Sequence, residues 1–464
     1  MLELSQIMTD EKKQKELEKK LLEIQTRELK KRGIEPDKKA EKTQIKPLPA
    51  GIIELERKID EIGKEIKNLG DLKDRISKTA TTEVLEIIFA GALKTGASDI
   101  HFEPQEKGVR LRFRIDGVLQ DMAEFDKKAY GPVLNRVKLM AGLKLNVHDR
   151  PQDGRFTIRS AETDIEVRVS ALPGAYGESI VMRMLDPRTI RKGLEELGLG
   201  RELLEEVKKQ LKKTTGAILT TGPTGSGKTT TLYAFLNWVN KPGIKAITIE
   251  DPIEYHIKGV YQTQVEPEKG YSFSSGLRSI VRQDPDVILV GEVRDAETAE
   301  IAMHAALTGH LVFSTLHTND AAGTIPRLID MGIKPQIIAP AINMAMAQRL
   351  VRKICQECRK KERASAEEIE KIKKVIKGKQ EDVAVWRAVG CDKCNMAGYR
   401  GRIGIFEAFL IDSEIEKMIL KNPAVSEIRD AIIKKGMKTM LEDGYLKVLE
   451  GLTDIAEVER VLGE

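Results

Sequence analysis

GPTGSGKT, residues 222–229, has the spacing of a loop that wraps the phosphates of a nucleotide. Gly222, Gly225 and Gly227 let the backbone turn tightly with its N–H groups directed inward, and Lys228 and Thr229 follow where a helix should begin. The flanks agree. GAILTT (216–221) is the short apolar run of a buried parallel strand, and TTTLYAFLNWV (229–239) carries Leu232, Phe235, Leu236 and Val239 at helical spacing. Strand, glycine loop and helix in that order is the context the motif requires. The candidate ATP-binding residues are therefore Gly222, Pro223, Thr224, Gly225, Ser226, Gly227, Lys228, Thr229 and Thr230.

Composition bounds the rest. A chain of 464 residues, 41% hydrophobic and 32% charged, has the make-up of a soluble protein and the length for two or three domains. A net charge of +5 is small for that length, and 4% aromatic residues give little material for base stacking, so direct nucleic-acid contact is not expected. No apolar run approaches the roughly 20 residues that span a bilayer, and the N-terminus lacks the pattern of a signal peptide. The expectation is a cytoplasmic protein.

Three textures follow one another along the chain. Residues 1–75 are rich in lysine and glutamate and broken by Gly33, Pro36, Pro47 and Pro49, with helical spacing at Leu17, Leu21, Ile24 and at Ile52, Leu55, Ile59, Ile62. This predicts a short helical N-terminal arm. Residues 76–190 alternate as strands, with VRLRFRID (109–116), FTIRS (156–160) and IEVRVSAL (165–172), and a helix at 129–141, which predicts an α+β domain. A basic helical stretch near 187–214 contains the linker. From 191 to 464 the apolar runs KAITIE (245–250), DVILVGE (286–292) and HLVFSTLH (310–317) alternate with helical segments, which predicts an α/β domain with a parallel sheet covered on both faces. A cysteine-bearing insert at 350–400 and a helical subdomain at 403–464 complete it.

Lys228 is placed to bridge the β- and γ-phosphates, and the Thr229 hydroxyl to coordinate Mg2+. Glu250 and Asp251 after KAITIE, and Glu292 after DVILVG, fall at strand ends, where ligands converge in such sheets. A carboxylate there can hold magnesium or polarise the hydrolytic water. CQEC (355–358) and CDKC (391–394) supply Cys355, Cys358, Cys391 and Cys394, two knuckles able to surround one tetrahedral Zn2+ and leave no open position. The alternative for these sulfurs is free or redox-active thiols.

ITIEDPIEY (247–255), DPDVILVGEVRDAET (284–298) and TGHLVFSTLHTNDA (308–321) occur in that order after the loop. They resemble the aspartate box, Walker B segment and histidine box of the ATPases that power type II secretion and type IV pilus assembly. In the strand-rich part, ASDIHFEP (97–104), RFRIDG (112–117), RPQDGR (150–155) and SALPGAYGESIVMR (170–183) are similar to that family's second N-terminal domain. The resemblance covers 76–464. It implies a RecA-like P-loop ATPase domain preceded by a PAS-like α+β domain. It further implies that Glu250 activates water, that Glu292 supports magnesium, and that His310 and His317 belong to the histidine box, with His317 near the γ-phosphate. Arg112, Arg114, Arg155 and Arg183 are its candidate arginine fingers. The four cysteines match the tetracysteine module of the assembly branch, which is missing from the retraction branch.

The resemblance also implies a homohexamer at the cytoplasmic face of the inner membrane, joined to an integral platform protein and to a cytoplasmic docking protein. The family's larger first domain is replaced here by the arm at 1–75, which leaves the docking contact open. Two rival readings stand beside the assembly motor. One is a ring ATPase for DNA uptake or conjugative transfer, and the other a low-turnover scaffold in which nucleotide only switches conformation.

Overall fold

The computed structural model describes residues 52–53, 56–66, 68–79, 83–159, 163–190, 192–376 and 383–463. The helical spacing at Leu17, Leu21 and Ile24 lies outside them. Among the described residues no helix is long and apolar enough to cross a membrane.

The strand-rich part begins earlier than its composition suggests. Strand β1 (Ile52–Ile53) pairs parallel with β5 (Gln152–Arg159) at Thr157 and Ile158. Helices α1 (Glu56–Glu65), α2 (Leu69–Lys78) and α3 (Val84–Thr95) follow, then β2 (Ala97–Pro104), β3 (Val109–Ile115), β4 (Val118–Phe125) and α4 (Lys127–Met140). After β5 come β6 (Asp164–Gly174) and β7 (Gly177–Leu185), and the sheet order is β1-β5-β6-β7-β2-β3-β4. Ile59, Ile66, Leu69, Leu72 and Ile76 are buried in one core with Phe89, Phe102, Phe113 and Phe156. A boundary at residue 75 would cut through that core, so Ile59 to Ile76 belong to the α+β body and not to an arm. The reason is burial: charged residues on the outer faces of α1 and α2 mask an apolar stripe that only the sheet can cover.

One buried polar network fastens this half. Lys138 on α4 is wholly buried, its Nζ lying 2.5 Å from Glu178 Oε1 and donating to Val147 O at 2.7 Å. Glu178 Oε2 lies 2.5 Å from His148 Nδ1, and Tyr130 Oη donates to the Glu178 carbonyl at 2.8 Å.

The second half is built on a seven-stranded sheet whose strands lie in the order 261–264, 246–250, 287–290, 311–316, 216–221, 342–354 and 399–410. After α5 (Arg201–Gln210), the elements are β8 (Gly216–Thr221), α6 (Lys228–Val239), β9 (Ala246–Glu250), β10 (Tyr261–Gln264), α7 (Phe273–Val281), β11 (Val287–Val290), α8 (Ala296–Leu307) and β12 (Leu311–Leu316). The chain continues through α9 (Thr324–Asp330) and α10 (Pro335–Ala341) to β13 (Ile342–Ile354). Six strands run parallel, and their sides alternate: Ala217 and Leu219 face one core, Ile218 the other with Leu232 and Phe235 of α6.

Residues 399–410 depart from the sequence reading. They form β16 (Tyr399–Leu410), which closes the sheet antiparallel to β13 from Met344↔Leu410 to Ile354↔Tyr399. The charged start YRGR hides this strand, whose buried half is IFEAF. The cysteine insert, with β14 (Lys360–Arg363), α11 (Ala366–Val375) and β15 (Ala384–Arg387), is thus an excursion between two hydrogen-bonded strands of the main sheet. Helices α12 (Ser413–Ile419), α13 (Val425–Lys434), α14 (Met440–Leu449) and α15 (Ile455–Leu462) then cover one face of it.

Replacing Glu178 by alanine leaves Lys138 buried without its carboxylate, and losing one partner of a buried ion pair costs about 3–5 kcal/mol. The Glu178→Ala protein is expected to show an early unfolding transition in urea, followed by far-UV circular dichroism. An unchanged first transition would count against the network as a fastener.

Candidate active site

The glycine loop lies between the end of β8 and the start of α6, at the carboxyl edge of the parallel strands. Gly222, Gly225 and Gly227 all take positive φ, at 145°, 80° and 92°, so the residue types demanded by the motif are the ones the backbone needs. Lys228 folds back on the loop, donating from Nζ to Gly222 O at 2.6 Å and Pro223 O at 3.1 Å. Among the described residues the buried Ser226 hydroxyl has no hydrogen-bond partner, and Thr229 is exposed at the helix start. The set fits a phosphate ligand: glycines at positive φ, an ammonium bonded to loop carbonyls, and a hydroxyl at a helix N-terminus. Lys228 and Thr229 would hold the phosphates and the magnesium ion.

The neighbouring strands bring a second group to the same edge. β11 ends just before Glu292 and β12 just before His317. Glu292 Oε2 lies 3.3 Å from His317 Nε2, and Glu292 Oε1 is 2.5 Å from Arg294 Nη2. Burial would raise the Glu292 carboxyl, but Arg294 and His317 outweigh it and hold it below the usual carboxylate range. Burial lowers the Lys228 ammonium; Glu292 opposes that shift and Arg349 adds to it. Thr221, the last residue of β8, accepts from Thr318 N at 2.7 Å, which ties the segment after His317 to the strand that feeds the loop.

Glu250 has a different setting from Glu292. It is buried at the end of β9, where its carboxylate accepts from Tyr233 Oη of α6, from Thr248 Oγ1 at 2.5 Å and from Gln262 Nε2 at 3.1 Å. Three donors from the same subunit occupy it. His310 is the site residue that the fold separates from the rest. It precedes β12, its carbonyl accepts from Gly216 N at the start of β8, and its Nδ1 meets Ala305 O at 3.0 Å. The loop lies six residues further along β8, roughly 20 Å at the usual rise of a strand.

The candidate arginines sit on one sheet face of the strand-rich half. Register aligns Arg155, Arg168, Arg183, Asp99 and Arg114 across β5, β6, β7, β2 and β3. Arg183 and Arg114 share Asp99, at 3.1 and 3.4 Å, Arg112 pairs with Glu103 at 2.5 Å, and Arg155 is exposed. Among the described residues none of the four candidates bonds to 222–229. Arg168, which sequence reasoning missed, does reach the ATPase half: Nη2 donates to Ile253 O at 2.8 Å and Nη1 lies 3.3 Å from Glu254. Burial raises the Glu254 carboxyl, with Arg168 and Arg183 pulling against it. The missed signal was the alternation of arginines in IEVRVSAL and its neighbours.

Two further residues went unread because they look like ordinary strand positions. In β13, Gln348 is buried and donates from Nε2 to Ser226 O at 2.7 Å, and Arg349 bonds to the carbonyls of Gln348 and Asn319 at 3.0 and 2.9 Å. A polar pair inside the apolar run INMAMAQRLV was the available clue.

The four cysteines form a second, separate centre. Their sulfurs lie within 4.8 Å of one another, with Cys355–Cys391 at 3.9 Å and both Cys358–Cys394 and Cys391–Cys394 at 3.8 Å. A tetrahedral zinc with Zn–S bonds of about 2.3 Å needs sulfurs about 3.8 Å apart, so the donor set fits that ion. Backbone N–H groups of Gly390, Cys391 and Gly398 point at the sulfurs of Cys358 and Cys394 at 3.1–3.3 Å.

Residues 75–460 match the family described as type II/IV secretion system protein. The chain is 42% identical over 403 residues to the type II secretion system ATPase E of Vibrio cholerae, spanning 87% of this chain and 79% of that protein. It is 41% identical over 383 residues to the type IV pilus assembly ATPase PilB of Thermus thermophilus, spanning 82% of this chain and 43% of that one. Among solved structures, the Legionella pneumophila ATPase DotB shares the fold at a TM-score of 0.60 and 21% identity, covering 81% of this chain and 94% of DotB. The pilus retraction motor PilT with bound ADP aligns at a TM-score of 0.53 and 27% identity, covering 81% and 96%.

A methyl group at Gly222 would meet Gln348 O at 2.6 Å and Ser226 Oγ at 2.7 Å. Strain of about 1–3 kcal/mol at such a position should weaken nucleotide affinity by about 10-fold or more in Gly222→Ala. Titration with a fluorescent ADP checks this, and wild-type affinity would show that Gly222 does not shape the loop.

Proposed function

Because this chain belongs to the type II/IV secretion ATPases, an ATP-hydrolysing family, we propose that it is a hexameric motor. It hydrolyses Mg-ATP at the inner face of the membrane to drive assembly of a type IV pilus or a type II secretion pseudopilus. The observation that carries this reading is the meeting, at adjacent strand ends, of the Lys228 loop with the Glu292–His317 pair.

Each residue then has a task. Lys228 and the loop N–H groups bind the phosphates, and Thr229 with Glu292 holds the magnesium ion, which when bound neutralises phosphate charge and orients the attacking water. Glu292, partly exposed and kept ionised by Arg294 and His317, is the carboxylate for the magnesium ion. Glu250, oriented at the floor of the site by Tyr233, Thr248 and Gln262, activates the water. The arginine row from Arg155 to Arg114 supplies positive charge toward a neighbouring subunit's nucleotide, which is why a ring completes the site. The cysteines hold a structural Zn2+ and take no part in hydrolysis. The platform and docking proteins are the mechanical partners on this reading, and the tetracysteine centre favours assembly over retraction.

Steady-state ATP hydrolysis by the purified protein tests the motor. Lys228→Ala and Glu292→Gln should each lower turnover by about 100-fold or more, and no turnover by the wild type in any oligomeric state would sink the proposal. The metal is checked separately by elemental analysis of protein purified without chelator. About one zinc per chain is expected, and Cys391→Ser with Cys394→Ser should remove it. A wild-type preparation free of zinc would refute the structural centre while leaving the motor untouched.

A further inference from the structure

β13 runs on past the end of β8, whose last residue Thr221 pairs with Ala347, so Gln348 and Arg349 stand at the level of the glycine loop. The Arg349 guanidinium crosses the strand ends there. It donates from Nη1 to Gln348 O at 3.0 Å, on its own strand, and from Nη2 to Asn319 O at 2.9 Å, in the segment after β12. Gly222 lies against this guanidinium, and a Cβ there would be 3.2 Å from Nη1. Lys228 donates to the carbonyl of that same glycine at 2.6 Å. An ammonium and a guanidinium thus converge on one residue of the loop.

The carboxylates closest to Arg349 in effect are already committed. Glu407 accepts from Ala321 N at 2.8 Å and from Met440 N at 3.2 Å, and Asp320 accepts from Gly323 N at 2.7 Å and pairs with Arg429. Among the described residues no carboxylate lies within ion-pairing distance of Arg349. Burial lowers the guanidinium from its ordinary range, with Glu407 and Asp320 opposing. Glu292 acts on Lys228 but no carboxylate pairs with Arg349, and a partly buried cation left unpaired is unfavourable unless a ligand supplies the anion. A guanidinium also has more N–H donors than the two these carbonyls occupy. The buried Ser226 hydroxyl, which lacks a partner among the described residues, would lie 2.7 Å from the same Cβ position. In this motif the lysine reaches the β- and γ-phosphates, so a second cation beside it sits at the terminal end of the nucleotide.

We propose that Arg349 binds the terminal phosphate of ATP from within the same subunit and, through its bond to Asn319, links that phosphate to the segment following His317. The inference rests on the reading of 222–229 as the ATP site. It differs from an arginine finger, because the charge comes from the chain that owns the loop.

The test is equilibrium binding, with magnesium, of a fluorescent ADP and of a non-hydrolysable ATP analogue to the full chain and to Arg349→Ala, Arg349→Lys and Lys228→Ala. Losing a charge-assisted contact should weaken the ATP analogue by about 10-fold or more in Arg349→Ala and ADP by less than about 3-fold. Arg349→Lys should keep most of the preference for the ATP analogue. Equal loss for both nucleotides, or no loss for either, overturns the proposal, the first because it marks a purely structural strap. If Arg349→Ala melts early, Arg349→Lys decides: a lysine cannot span both carbonyls, so a strap would fail in it equally for both nucleotides. Wild-type binding by Lys228→Ala would instead overturn the reading of the loop itself.

Discussion

The carboxamide of Gln348, donating to the Ser226 carbonyl at 2.7 Å, fixes where the glycine loop sits. A loop rich in glycine has few side chains with which to hold itself and a large conformational entropy to lose. Its shape must therefore be imposed from below. Gly222 and Gly227 permit the close approach, since a Cβ at either would meet Gln348 at 2.6 or 3.0 Å. Whatever places β13 also places the loop.

β13 is held along its whole length. It pairs with β8 on one side and β16 on the other, and at its end Ile354 N donates to Leu452 O at 2.9 Å while Arg352 pairs with the buried Glu457 at 2.8 Å. Cys355 follows directly, and Cys394 lies just before β16. The four sulfurs therefore meet at the mouth of the excursion that separates two paired strands, where a bound metal would close a long loop. Trp386 of the insert packs on Gly451 and takes the Arg359 guanidinium 4.0 Å over its ring, which seats the insert on the C-terminal helices.

Among the described residues, polar contacts join the two halves at two places. Arg168 reaches Ile253 and Glu254, three and four residues beyond Glu250, and Asp116 accepts from Gly401 N at 2.7 Å next to the start of β16. One contact leads to the floor of the site and the other to the strand beside β13.

The loop, its strand and its helix were legible in the sequence because their chemistry is local: glycines that the backbone needs at positive φ, a lysine at fixed spacing, and apolar runs of strand length. The cysteine pairs were legible for the same reason, since two CxxC knuckles carry their geometry within four residues each. What the sequence by itself could not decide was which residues from distant segments arrive together. Glu250 and Glu292 both follow apolar strands, yet only burial against Tyr233 sets the first apart. His310 and His317 share one motif, yet the length of β12 puts them at opposite edges of the sheet. The start of the α+β body, the strand at 399–410, Arg168, Gln348 and Arg349 all depend on register between segments far apart in the chain. Local pattern fixes what a residue can do, and tertiary packing decides what it meets.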